Sequence, residues 1–189
     1  MIIVFGSLNV DMVLPVESMP RPGDTLLCPE YKLHPGGKGA NQAVAAAHMG
    51  ADVHMFGCVG DDSFSHLCRD SLNASKVQTQ YMVTCDKPTG CATICVDARG
   101  ENMITVASGA NLLASSALVP DEMLTDSSIL VLQMEVRPEE NWQLIERASQ
   151  RGTRVILNLA PAQAIPDHIL KSLSVLVMNQ IEATVLALN

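Results

Sequence analysis

Aromatic residues are scarce: one Trp, two Tyr and three Phe make up 3% of 189 residues. A core built from this chain must therefore be aliphatic, and a hydrophobic content of 48% suffices to build one of domain size. Basic residues are in deficit as well. Twelve Lys and Arg stand against twenty Asp and Glu, a net charge of −8. No basic surface is available to neutralise a phosphate backbone, which argues against nucleic-acid binding and against attachment to anionic membranes. No apolar run approaches the roughly 20 residues of a membrane-spanning helix. The opening Met1-Ile2-Ile3-Val4-Phe5-Gly6 has neither the length nor the basic flank of a secretory leader. The six cysteines (Cys28, Cys58, Cys68, Cys85, Cys91 and Cys95) form no CxxC pair and do not interleave with His. Reduced thiols in a cytosolic chain are expected, not a zinc site. Low-complexity segments and fixed-period repeats are lacking too. So are the familiar nucleotide loops. Gly39 follows Lys38 where a Walker A motif needs Ser or Thr, and Gln42 stands where the dinucleotide fingerprint needs its third glycine.

What is present centres on His34-Pro35-Gly36-Gly37-Lys38-Gly39-Ala40-Asn41-Gln42. Its glycines free the backbone for φ > 0 and for close approach to a ligand. The strong helix former Ala43 to Met49 follows and ends at Gly50. The loop thus opens a helix, and free N–H groups at that end suit an anion or a polyol oxygen. Lys38 and Asn41 add polar side chains there. A plain glycine turn capping a core helix is the alternative.

The remaining chain alternates strand and helix. Strands are expected at 2–5, 52–59, 128–133, 154–159 and 175–178. Helices are expected at 62–74, from Pro138 with a stripe of Trp142, Ile145 and Ala148, at 167–173 and at 181–188. This pattern implies a parallel sheet with right-handed crossovers. Two β-rich blocks interrupt it: a strand within Leu26 to Leu33, and a hairpin of 90–97 and 102–106 turning at Ala98-Arg99-Gly100-Glu101. They predict a separate small sheet spanning about 12–35 and 88–108, which needs a ligand, the main domain or a second copy as cover.

Polar residues gather at strand ends. Asn9 and Asp11, two apart in extended chain, point to one side just past the first strand. A carboxylate there can accept two protons from a vicinal diol; an Asx turn is the alternative. Glu135 follows the strand at 128–133 and faces the same crevice. Asn179 and Glu182 have the spacing of a capping box, which competes with a ligand role and does not preclude it.

Gly6-Ser7-Leu8-Asn9-Val10-Asp11, Gly36-Gly37-Lys38-Gly39-Ala40-Asn41-Gln42-Ala43 and Gly57-Cys58-Val59-Gly60-Asp61-Asp62 together resemble the phosphofructokinase-B-type carbohydrate kinases. Gly109-Ala110-Asn111, Gln133-Met134-Glu135, Asn158-Leu159-Ala160-Pro161-Ala162 and Asn179 with Glu182 follow in the same order. The resemblance spans essentially the whole chain. Asn9 and Asp11 with Lys38 and Asn41 are closest to the ribokinases. It implies a ribokinase-like α/β fold, with a mostly parallel central sheet, flanking helices and a β-sheet lid. Asn9, Asp11, Gly37, Lys38, Asn41 and Glu135 would hold sugar hydroxyls. Asn179 would face the nucleotide phosphates, and Glu182 would act indirectly on magnesium. The implied reaction moves the ATP γ-phosphoryl group to the 5-hydroxyl of ribose, by positioning and charge neutralisation. A homodimer through the lid is implied as well. The family's Gly-Ala-Gly-Asp-like segment, which supplies the general base, has no match in these residues. Its catalytic Asp would fall past Asn189, with the adenine pocket and the potassium loop. The expectation is therefore an incomplete fold with an unfinished sheet edge, inactive alone. The alternatives are a non-catalytic partner acting through the lid, and a kinase of another sugar or a nucleoside.

Overall fold

The computed structural model describes residues 1–187. In chain order the elements are β1 (Ile2–Phe5), β2 (Asn9–Pro15), β3 (Lys32–Gly36), α1 (Lys38–His48), β4 (Val53–Gly60), α2 (Ser63–Ala74), β5 (Met82–Cys85), β6 (Gly90–Val96), β7 (Asn102–Ala107), β8 (Ile129–Gln133), α3 (Pro138–Gln150), β9 (Arg154–Asn158), α4 (Asp167–Leu170), β10 (Val175–Val177) and α5 (Gln180–Ala187). Three short 3₁₀ turns occupy much of 109–123.

The main sheet has six strands in the order β10-β9-β8-β1-β4-β5, and each pairing is parallel. Its strands are short and aliphatic, as suits a sheet covered on both faces. Alternate residues of β1 serve opposite layers. Ile3 and Phe5 join Leu130, Leu132, Leu157 and α3 residues Leu144 and Ile145. Val4 instead joins Val53, Met55 and Leu8, with Ala43 of α1 and Leu72 of α2. The stripe of α3 is Asn141, Leu144, Ile145 and Ala148. Trp142, expected on that stripe, is only partly buried beside it.

The small sheet is four-stranded, in the order β3-β2-β6-β7. The hairpin β6–β7 forms as expected, with Val96 opposite Asn102. Its partner, β2, begins at Asn9, earlier than the boundary near residue 12. β2 runs parallel to β6 and antiparallel to β3. The strand expected within Leu26 to Leu33 forms instead at Lys32–Gly36, so His34, Pro35 and Gly36 are strand residues and only Gly37 separates the strand from α1. The physical reason is the ladder: β2 offers its partners to 32–36, whereas Leu27 of the preceding segment stands in solvent. The helix expected over 167–173 stops at Leu170. β5 pairs as an outer strand of the main sheet; it has no strong sequence signal. The last expected helix begins at Gln180. Its expected end at Leu188, and the final residue Asn189, lie outside the described residues. No helix among the described residues is long and apolar enough to cross a membrane.

Candidate active site

The site is assembled where β1 hands the chain to β2. Gly6 follows β1, and a Cβ there would overlap the buried Gln133 side chain. β2 then places Asn9 and Asp11 on one face, with Asn9 opposite Gly36 and Asp11 opposite His34. Gly36 has no side chain to occupy the space of the Asp11 carboxylate, which an added Cβ would overlap. Gly37, at φ 90°, is the N-cap of α1, and a Cβ there would lie 2.8 Å from the Asn9 backbone nitrogen. The glycine pair therefore allows the start of α1 to lie directly against β2.

The expected open helix end is instead filled from within. Glu135, two residues past β8, accepts hydrogen bonds from the Lys38 backbone N–H (3.0 Å) and from Ser7 Oγ (2.6 Å). Its other oxygen pairs with Lys38 Nζ at 3.0 Å. Ser7 Oγ accepts from the Gly39 N–H at 3.2 Å, and the Ser7 carbonyl accepts from the Ala40 N–H at 3.0 Å. A carboxylate of this chain thus occupies the positive end of α1. Burial alone would raise the Glu135 pKa, but these donors outweigh it and hold the carboxyl below its ordinary range. Asp11 shifts the other way. Burial and then the Glu135 charge raise its pKa, against the smaller pull of His34 and Lys38.

Asn9, Asp11, Gly37, Lys38, Asn41 and Glu135 all line one cavity of about 140 Å³. Ala92 and Ile94 of β6 and Ile104 and Val106 of β7 form its other wall. That is many times the roughly 10–15 Å³ that one water needs, a space for a small ligand. One side carries carboxylate, ammonium and amide, and the other is aliphatic. A ligand with hydroxyls on one face and C–H groups on the other matches both walls. The cavity shares Asn9, Lys38, Val106 and Glu135 with a cleft of about 400 Å³, which continues past Arg137 and Pro138 to Pro161 and Gln163 beyond β9. Clefts of about 300–1,000 Å³ are the usual size for small-molecule sites.

Asn179 and Glu182 are set apart from the cavity. They form both bonds of a capping box: the Glu182 N–H donates to Asn179 Oδ1 (2.8 Å), and the Asn179 N–H donates to Glu182 Oε2 (2.7 Å). They follow β10, two strands from β8 along the carboxyl edge of the sheet, roughly 10 Å at ordinary strand spacing. Among the described residues no three His, Cys, Asp or Glu side chains gather as a metal cage. A magnesium ion arriving on nucleotide phosphates needs only one or two protein carboxylates, and Glu182 retains lone pairs for that role. The Gly-Ala-Gly-Asp-like segment expected to carry the catalytic Asp has no match among the described residues. Sequence reasoning singles out neither Ser7 nor Asn111 individually, although both lie in quoted motifs. Their partners, Glu135 and Asn9, are more than 100 residues away.

The pattern of the pfkB family carbohydrate kinases matches residues 1–187. The chain is 37% identical to a ribokinase of Haemophilus influenzae over 187 residues, covering 97% of this chain and 61% of that protein. It is 39% identical to a deoxyribokinase of Salmonella typhimurium over 165 residues, covering 85% of this chain and 54% of that one. A ribokinase structure from Arabidopsis thaliana, complexed with ribose and ATP, superposes with a TM-score of 0.86 at 29% identity, over 98% of this chain and 62% of that chain. The chain thus spans little more than half to three-fifths of each of these relatives' lengths. With the family pattern matched over nearly its whole length, this chain belongs to the pfkB family of carbohydrate kinases.

Proposed function

We propose that this chain forms the ribose-binding and lid portion of an ATP-dependent ribokinase-type enzyme. The observation that carries the reading is the convergence of Asn9, Asp11, Gly37, Lys38, Asn41 and Glu135 on one small cavity with an aliphatic wall. In this reading Asp11 accepts hydroxyl protons from the sugar, and Asn9, Lys38 and Asn41 donate to its oxygens. Gly37 lets the backbone close against the ring. Glu135 anchors the start of α1 and offers a remaining lone pair. Ile94, Ile104 and Val106 exclude water from the sugar's C–H face. The ribokinase relative and the ribose-complexed structure support ribose as the sugar.

Bound ATP with magnesium would supply the phosphoryl group. The larger cleft runs from the cavity along the carboxyl ends of β8 and β9, toward β10 and the Asn179–Glu182 pair. That direction supports Asn179 beside the phosphates and Glu182 beside the magnesium ion. No residue here is assigned to potassium. Transfer requires a base to take the 5-hydroxyl proton as the new P–O bond forms, and the family's base segment has no match among these residues. The pure 189-residue chain is therefore expected to bind ribose without making ribose 5-phosphate.

Calorimetry with ribose, fructose and adenosine tests the reading. Ribose binding that is lost in Asp11→Ala supports it, and indifference to all three ligands removes it. The deoxyribokinase relative favours one second reading, in which the sugar is deoxyribose, and adding deoxyribose to the same titration separates the two. The proposal includes a homodimer through the small sheet, whose outer strand β7 is exposed along its length. It also includes a cytoplasmic location, in keeping with six free cysteines.

A further inference from the structure

Asn111 lies on the turn that leaves the lid hairpin and is 1% exposed. The Leu8 N–H can only donate, so the Asn111 atom 2.9 Å from it is the amide oxygen. The other Asn111 terminal atom is therefore the NH₂ group. It donates to the Leu8 carbonyl at 3.2 Å and to the Asn9 side chain at 2.7 Å. The Asn9 atom that receives this bond must be Oδ1. Asn9 Nδ2 then points the other way and has no acceptor among the described residues, while Asn9 lines both the small cavity and the cleft. Space for the amide pair comes from Gly90, directly opposite Asn9 in the ladder. A Cβ there would overlap both Asn9 Oδ1 and Asn111 Nδ2.

From this chain of donors and acceptors we infer that Asn111 is a positioning residue. It locks the Asn9 amide so that its NH₂, not its carbonyl oxygen, faces the ligand. With Asp11 two residues along β2 as an acceptor, the β2 part of this wall presents a donor and an acceptor side by side. A hydroxyl satisfies both, whereas an ammonium group cannot accept from Asn9 and a fluorine cannot donate to Asp11. Asn111 also joins the exit of the β6–β7 hairpin to β2. The inference rests on the polyol reading of the cavity.

The test is a double-mutant cycle on ribose affinity in the full 189-residue chain. Asn111→Asp keeps an acceptor for the Leu8 N–H but cannot donate to Asn9 Oδ1, so the Asn9 amide inverts. The expected loss is about tenfold, one oriented hydrogen bond. The Asn9→Ala/Asn111→Asp double variant is expected to bind no more weakly than Asn9→Ala alone. In NMR spectra the Asn9 side-chain NH₂ resonance shifts on ribose addition in the parent and fails to shift in Asn111→Asp. Gly90→Ala, which retains both amide groups but forces them out of position, serves if Asn111→Asp does not fold and is expected to show the same loss. Full affinity in Asn111→Asp, or a loss that adds to that of Asn9→Ala, overturns the role of Asn111 while Asp11→Ala still abolishes binding. If Asp11→Ala and Asn9→Ala both bind ribose normally, the polyol reading falls and this inference with it.

Discussion

The carboxyl groups of Asp11 and Glu135 share one cavity, and their surroundings drive them in opposite directions. Asp11, raised by burial and by the Glu135 charge, takes up a proton at higher pH than an ordinary aspartate. If it accepts sugar hydroxyls, ribose affinity is expected to fall on acidification from about pH 7 toward about pH 4, starting above the usual aspartate range. Asp11→Asn removes that pH dependence, and calorimetry across the range checks it. The stability signs also differ. The Glu135 pKa is lowered in the folded state, so its stabilising contribution is present above its ordinary value of about 4.5 and is lost as pH falls through the folded value. Asp11 is raised, so its own contribution favours the folded state at acid pH and is lost as pH rises through the folded value. Glu135→Gln is expected to flatten the acid limb of a denaturation series. It also leaves the part-exposed Lys38 Nζ without its carboxylate, at a cost of up to about 1 kcal/mol. Gly36→Ala tests the room left for Asp11. Its Cβ would overlap the carboxylate, so ribose binding is expected to drop at least tenfold while the circular dichroism spectrum is retained.

At the scale of elements, two helix starts show what a sequence window can and cannot contain. The α5 cap uses Asn179 and Glu182, three residues apart, and is legible because both partners lie in one turn. Asn179→Ala is expected to cost about 1 kcal/mol, confined to the C-terminal helix and visible as faster amide exchange there. The α1 start has no side-chain cap of its own. It is capped by Ser7, from the turn after β1, and by Glu135, 97 residues away, so no local pattern could reveal it. Ser7→Ala removes an acceptor from Gly39 and a donor to Glu135, and is expected to destabilise by about 1–3 kcal/mol in urea. The strand starting at Asn9 is hidden from a sequence window for a related reason. Its ladder partners β3 and β6 arrive from residues 32–36 and 90–96, and its own residues read equally well as a loop after β1.

At the scale of the molecule, a six-stranded parallel sheet carries separate apolar layers on its two faces, and a four-stranded sheet roofs the cavity at one end. Leu144, fully buried between α3 and the main sheet, tests the larger layer. Leu144→Ala is expected to cost about 2–5 kcal/mol by the cavity it leaves. The roof is less well covered. Ile104 and Val106 are each about half exposed although they line the cavity. An exposed apolar edge strand invites a partner. Sedimentation is expected to find a dimer that Ile104→Glu converts to monomer, and a parent chain monomeric at every concentration removes the lid-dimer proposal.

Sequence by itself determined the alternation of parallel strands and helices, the existence of a second sheet, and the polar residues at strand ends. Each of these is written in local periodicity, glycine placement or motif order, and each needs only neighbouring residues to be read. Tertiary structure decided which of those polar groups meet. It placed Glu135 on the end of α1, turned Asn9 by way of Asn111, left Asn179 and Glu182 on a separate strand end, and moved the strand before Gly37 toward the helix. The physical reason is that hydrogen-bond partners and ladder partners far apart in the chain become neighbours only when β1, β2, β6 and β8 pack together.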